Sequence, residues 1–268
     1  MKQVAPLRYG VIFKKAFCDV QVFNGFVRDI LGIEFHCDNV ETEKEFDVLV
    51  GNVKSRFDLY AEDKEKRIIV DIQHRRDFDH YDRFLHYHCV ALLEQVRSAT
   101  DYNPPLAVYT IVVLTSGDKH KSPVSIIDFD PKNWQGKPLG EIPHKVIYLC
   151  PKYLNDDTPE SYWEWLQVID DSLDGVIDES VYHNPDVQKI VQRIEKDDIS
   201  PEERYWMIEE HSEEKAKKEM LEQALNKGQL QEKQAIAKNL LTLGLAVSAI
   251  EQATGLTAGE IEQLNPIT

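Results

Sequence analysis

Two carboxylates and an amide, Asp58, Asp71 and Gln73, are the side chains of this 268-residue chain best spaced to do chemistry. They lie in residues 54–73, whose pattern predicts a β-hairpin about a turn between Lys64 and Glu65. A symmetric loop centred there pairs residues whose numbers sum to 129, so Asp58 faces Asp71 and Arg56 faces Gln73. Opposed side chains on one sheet face approach to about 5 Å, where like charges repel. A divalent cation shared by the two acids is the most economical reason to place them so. A solvent-exposed hairpin edge carrying ordinary charges is the competing explanation. Alternation places Ile68, Val70 and Ile72 on the opposite, apolar face, together with Phe57 and Leu59.

The elements that must hold this hairpin are legible as periodicities. Residues 11–31 predict one amphipathic helix, with Phe13, Phe17, Phe23, Phe26, Val27 and Ile30 on one side and Gly32 as its stop. Residues 34–50 read as an irregular strand, followed by a turn at Gly51-Asn52. After the hairpin, residues 77–99 predict a long helix capped by Asp77. Pro104-Pro105 breaks the chain, and the apolar run 106–114 predicts a buried strand. Residues 124–129 and 145–150 are expected as two further strands, completing a mixed α/β core over residues 1–150.

Beyond Pro151 the pattern is helical, with helices expected over 159–173, 185–197, 201–226 and 229–243. Residues 246–264 predict two short helices joined at Thr254-Gly255-Leu256, a helix-turn-helix pattern. The expected organisation is therefore a core over 1–150, an acidic helical region over 151–228 and a helical tail over 229–268.

Charge follows this division. The net charge of −16 is concentrated in residues 151–210, where 5 Lys and Arg stand against 17 Asp and Glu, whereas residues 1–150 carry 20 against 22. A protein-wide attraction to phosphate is thereby excluded, but a local basic surface beside the hairpin is not. Residues 244–268 contain no Lys or Arg, so the tail is expected to pack or to form a homo-oligomer rather than to read DNA. Four scattered cysteines without a CxxC pair suit a reducing cytoplasm and argue against a structural zinc or disulfide framework. No apolar run approaches the length that spans a bilayer, and no signal peptide is evident, so a cytoplasmic protein without membrane association is expected. His86 and His88 are two apart on a predicted helix and do not face one site. Trp163 and Trp165 are expected in helix packing.

The order and spacing of several segments resemble the Rpn family of recombination-promoting nucleases and transposases, within the PD-(D/E)XK nuclease superfamily. The carrying residues are Tyr9-Gly-Val-Ile-Phe-Lys14-Lys-Ala-Phe17, Ser55-Arg-Phe-Asp58, Asp71-Ile-Gln73 and Arg83-Phe-Leu-His-Tyr87, with a similar tail around Thr254-Gly-Leu-Thr. The resemblance implies an α/β fold in which a mixed sheet is flanked by helices and followed by an all-helical C-terminal region. It implies a metal-dependent DNA endonuclease in which Asp58 and Asp71 are the two strand acids and Gln73 stands where the wider superfamily carries Lys. Two departures stand out: Gly10 where family members often carry an acid, and Asp71 where Glu is commoner.

On that reading Asp58, Asp71 and the Ile72 carbonyl would bind Mg²⁺, with Mn²⁺ or Ca²⁺ as substitutes. Gln73 would orient a water, and Lys14 would supply stabilising charge. DNA phosphates would meet Arg56, Arg75, Arg76, Arg83 and Tyr87, the last two one helical turn apart in a strip that starts at His80. A second reading is a catalytically reduced member of the same fold that binds nucleic acid or protein.

Overall fold

A computed structural model describes residues 1–46, 55–74, 80–96 and 103–264. Among the described residues, eight strands and eight α-helices follow one another: β1 (Lys2–Gln3), α1 (Gly10–Phe17), α2 (Val20–Leu31), β2 (Glu41–Glu45), β3 (Arg56–Glu62), β4 (Lys66–Gln73), α3 (His80–Leu93), β5 (Ala107–Leu114), β6 (Val124–Asp128), β7 (Lys145–Leu149), α4 (Trp163–Asp171), β8 (Val176–Ile177), α5 (Pro185–Arg193), α6 (Pro201–Thr242), α7 (Val247–Thr254) and α8 (Ala258–Gln263). Six strands form one sheet in the order β2-β3-β4-β5-β7-β6, and β1 pairs with β8 in a separate ribbon. The pairs β4/β5 and β5/β7 are parallel while the others are antiparallel, so the sheet is mixed. The expected α/β architecture is present.

The sheet is buried on both faces, which is why β5 reads as a nearly continuous apolar run. One face, carrying Leu59, Ile68, Val70, Ile111, Val113 and Leu149, packs with residues of α1, α2, α4 and α5. The other, carrying Tyr60, Ile69, Val112, Val146 and Tyr148, packs on Phe84, Tyr87 and Ala91 of α3. An aromatic train locks the first layer together: Phe13 stacks on Phe17 at 4.4 Å, and Phe17 and Trp165 both meet Phe26 edge-on. The Trp165 indole N–H donates to Asp29 at 2.9 Å, so its burial leaves no polar group unsatisfied. Trp165 is thus the packing residue expected of it.

Several boundaries differ from expectation. Residues 11–31 form two helices, because Asp19 accepts from the N–H groups of Gln21 and Val22 and starts a new helix. Of the strand expected over 34–50, the described residues contain β2, and its end with the Gly51-Asn52 turn lies outside the described residues. The helix after the hairpin, α3, ends at Leu93, before the expected 99, and the expected start with its Asp77 cap lies outside the described residues. The two helices expected over 201–226 and 229–243 are one, the 42-residue α6. Gly228 lies within it; one helical glycine costs about 1 kcal/mol, too little to end a helix with good formers on both sides.

The chain divides into two units, Met1–Met207 and Ile208–Thr268. The second has its own small core of Ala237, Ile250, Leu256 and Ile261. Its α7 and α8 are the expected pair of short helices, α8 opening on a capping box between Thr257 and Glu260. Among the described residues, no helix is long and apolar enough to cross a membrane.

Candidate active site

The hairpin folds in the expected register, with Leu59 opposite Val70, Tyr60 opposite Ile69 and Glu62 opposite Arg67. The Asp63 N–H donates to the Lys66 carbonyl, which makes 61/68 and 59/70 the hydrogen-bonded pairs and puts the next at 57/72. There the regular ladder ends. The Ile72 N–H donates to Asp58 Oδ2 at 3.0 Å, and the Asp58 N–H donates to Asp71 Oδ1 at 3.1 Å. Each carboxylate therefore sits on the other strand's backbone, and the two acids are drawn together.

This exchange corrects one expectation. Phe57 does not share a face with Leu59; it turns to the α3 side, where it meets Tyr87 at 5.6 Å and Phe46 at 5.5 Å. Alternation breaks at Asp58 because the side chains have taken over part of the strand pairing.

Asp71 is buried, and Asp58 beside it is half-buried. Asp71 is 4 % exposed, and its Oδ2 has no hydrogen-bond partner among the described residues. Burial raises the Asp58 carboxyl above its ordinary range, against the pull of the Ile72 N–H and of Lys14, Arg56 and Arg83. Burial also pushes Asp71 well up, and the neighbouring Asp58 charge pushes it further. Two like charges out of water with one oxygen unsatisfied are a costly arrangement for an empty core. They suit a cation: hard carboxylate oxygens, a buried unpartnered lone pair and flanking backbone are the donor chemistry Mg²⁺ takes, with water completing its shell. Among the described residues no cluster of three or more His, Cys, Asp or Glu side chains could hold a metal, so any ion would depend on this pair, backbone and water.

The other expected residues divide. Gln73, 7 % exposed, accepts from the Arg83 guanidinium at 3.4 Å. Lys14 reaches the site from α1 and is ion-paired with Glu43. Arg56 is exposed and pairs with the same Glu43 rather than with Gln73. Tyr87 is 8 % exposed and packs on Phe57 and Phe84, with Arg83 lying over its ring. His80 is likewise buried, so of the expected strip from His80 to Tyr87 only Arg83 is exposed, and its charge acts on both acids. Arg75 and Arg76 lie outside the described residues. His88 is buried against Thr110 and stacked on Phe129 at 5.0 Å, and burial holds it neutral with its pKa lowered to about 3.

Sequence reasoning missed three contributors, Glu43, Arg8 and Thr115. Glu43 joins Lys14 to Arg56 from a backbone φ of 58°, a conformation uncommon outside glycine. His74 bridges Arg8 at 3.1 Å and Thr115 at 2.8 Å. Arg8 can only donate, so His74 Nε2 accepts and Nδ1–H is left to donate to Thr115 Oγ1. The Thr115 N–H in turn donates to the Gln73 carbonyl at 3.0 Å, fastening the end of β4 to the end of β5. Only the position of His74 directly after Gln73 could have signalled any of this.

No curated protein and no solved structure matches the chain. A family model does: that described as PD-(D/E)XK nuclease family transposase covers residues 21–224, which includes Asp58, Asp71, Gln73 and Arg83 but begins after Lys14. With a mixed sheet, flanking helices and adjacent strand acids in place over more than half of its length, the chain belongs to the PD-(D/E)XK nuclease family transposases.

Proposed function

We propose that this protein is a metal-dependent DNA endonuclease of the Rpn type, acting in recombination or transposition. The observation that carries the reading is the buried Asp71, paired with the half-buried Asp58 and with an Oδ2 unsatisfied among the described residues. Asp58, Asp71 and the Ile72 carbonyl would hold Mg²⁺, which Mn²⁺ or Ca²⁺ could replace in the site. When bound, the ion would polarise the scissile phosphate and acidify a bound water.

The chain's own residues would do the rest. Gln73 cannot take a proton; its amide, held by Arg83, would orient the attacking water. Arg83 and Lys14, whose charges already act on both acids, would offset the charge that develops on the phosphate. Arg56, with Arg75 and Arg76, would contact flanking phosphates. The C-terminal helices would serve self-association.

Plasmid nicking in Mg²⁺ or Mn²⁺ tests the reading. Wild type is expected to nick and Asp58→Ala to lose at least about 100-fold in rate, the loss typical of removing an electrostatic catalytic group. Identical behaviour of the two proteins would remove the enzyme assignment. It would favour the second reading, a catalytically reduced module that binds nucleic acid or protein, to which the engagement of Lys14 by Glu43 lends support.

A further inference from the structure

Among the described residues, the turn after β5 is an exposed basic run at the end of the sheet where the acids lie. β4 and β5 are parallel and in register from Lys66 with Ala107 to Gln73 with Leu114, so residues 115–123 leave the sheet beside Gln73. Lys119, His120 and Lys121 in this turn are all exposed, and neither lysine forms an ion pair among the described residues.

The turn is held from several sides. The Tyr81 hydroxyl donates to Asp118 Oδ2 at 2.6 Å, while Asp118 Oδ1 accepts from the N–H groups of His120 at 2.9 Å and Lys121 at 3.1 Å. The Tyr153 hydroxyl donates to the Asp118 carbonyl, and its ring fills the space that a Cβ on Gly117 would need. Lys121 is held at a φ of 54°, a left-handed conformation that a lysine adopts only when its surroundings impose it. Asp118 itself is 4 % exposed, so its charge is spent inward and the surface of the turn is cationic. The same first turn of α3 sends Tyr81 to Asp118 and Arg83 to Gln73, so one helix sets both the basic turn and the catalytic amide.

We infer that Lys119 and Lys121 form a binding site for the phosphodiester backbone of the substrate strand beside the scissile bond. The inference rests on the nuclease reading for the identity of its substrate, but not on turnover. A preset pair of cations suits it: in a chain of net charge −16, phosphate must be gripped locally, and flexible lysines on a fixed turn contribute charge without sequence preference.

The test is the salt dependence of duplex binding by the full chain, read by fluorescence anisotropy in EDTA so that nothing is cleaved. Each phosphate contact contributes about 0.9 to the slope of log K against log salt. The double variant Lys119→Gln/Lys121→Gln should flatten that slope by about 1.8 and weaken binding equally on unrelated sequences. Its melting temperature with and without Mn²⁺ should match wild type, which separates lost contacts from lost fold. An unchanged slope, or a wild type that does not bind duplex, overturns the inference. The outcome is independent of nicking. A wild type that binds through these lysines but never cuts defeats the nuclease reading alone. One that cuts with an unaltered slope in the variant defeats this inference alone.

Discussion

Asp71 sets function against stability at a single residue. Its carboxylate is buried beside another and keeps one oxygen unsatisfied, so without metal the ionised pair costs folding free energy. The sign follows from linkage. The folded carboxyl titrates above its ordinary 3.8, so between 3.8 and the raised value the folded state binds more protons than the unfolded one. Metal-free stability therefore falls as pH rises through that window. Asp71→Asn keeps an oxygen for the Asp58 N–H and replaces the orphaned one with a donor that Asp58 can accept. We expect it to stabilise the metal-free protein at neutral pH by about 1–3 kcal/mol and to abolish both nicking and stabilisation by Mn²⁺. Thermal melts across pH, with EDTA or Mn²⁺, check this; a variant less stable than wild type in EDTA at pH 7 would contradict it. The facing acids were legible because hairpin register is arithmetic once the turn is located. Glu43, Arg8 and Thr115 were not, because their roles depend on contacts between segments far apart in sequence, which no local spacing encodes.

At the scale of elements, pattern reading worked where burial imposes a period. β5, β6 and β7 lie where apolar runs placed them, and the hairpin register is the one drawn from its turn. It failed where a polar side chain replaced a backbone partner: Asp19 restarted a helix, and Asp58 broke the alternation that should have put Phe57 with Leu59. In the turn after β5 the Asp118 side chain likewise takes backbone partners, and Gly117 is the turn's most constrained residue. Its φ is +70°, and an added Cβ would lie 2.4 Å from the Tyr153 ring. Gly117→Ala meets both penalties: about 1–2 kcal/mol for the left-handed backbone and about 1–3 kcal/mol for crowding the half-buried Tyr153 ring. Chemical denaturation should show a loss of at least about 2 kcal/mol, and duplex affinity should fall as Asp118 loses its anchor. A neutral substitution would mean that the turn and Tyr153 move freely.

For the whole molecule, the question is which part carries the nuclease chemistry. All groups acting on Asp58 and Asp71 belong to residues 1–207, as does the face-packing of α4 and α5 on the aromatic train. Among the described residues of the second unit, four buried apolar side chains, Ala237, Ile250, Leu256 and Ile261, form its core, far fewer than in the first unit. The two units should therefore melt separately, the helical one first. In calorimetry the full chain should show a minor low-temperature transition followed by a major one, and only the major one should shift with Mn²⁺. A chain ending at Met207 keeps the early contacts of α6, where Lys15 pairs with Glu203 at 2.9 Å and Arg204 donates to the Ile199 carbonyl. It should retain the major transition, its metal shift and nicking at the wild-type rate per site, while losing any self-association that the C-terminal helices provide. Loss of the metal shift on truncation would place part of the ion's support beyond Met207 and refute this division of labour.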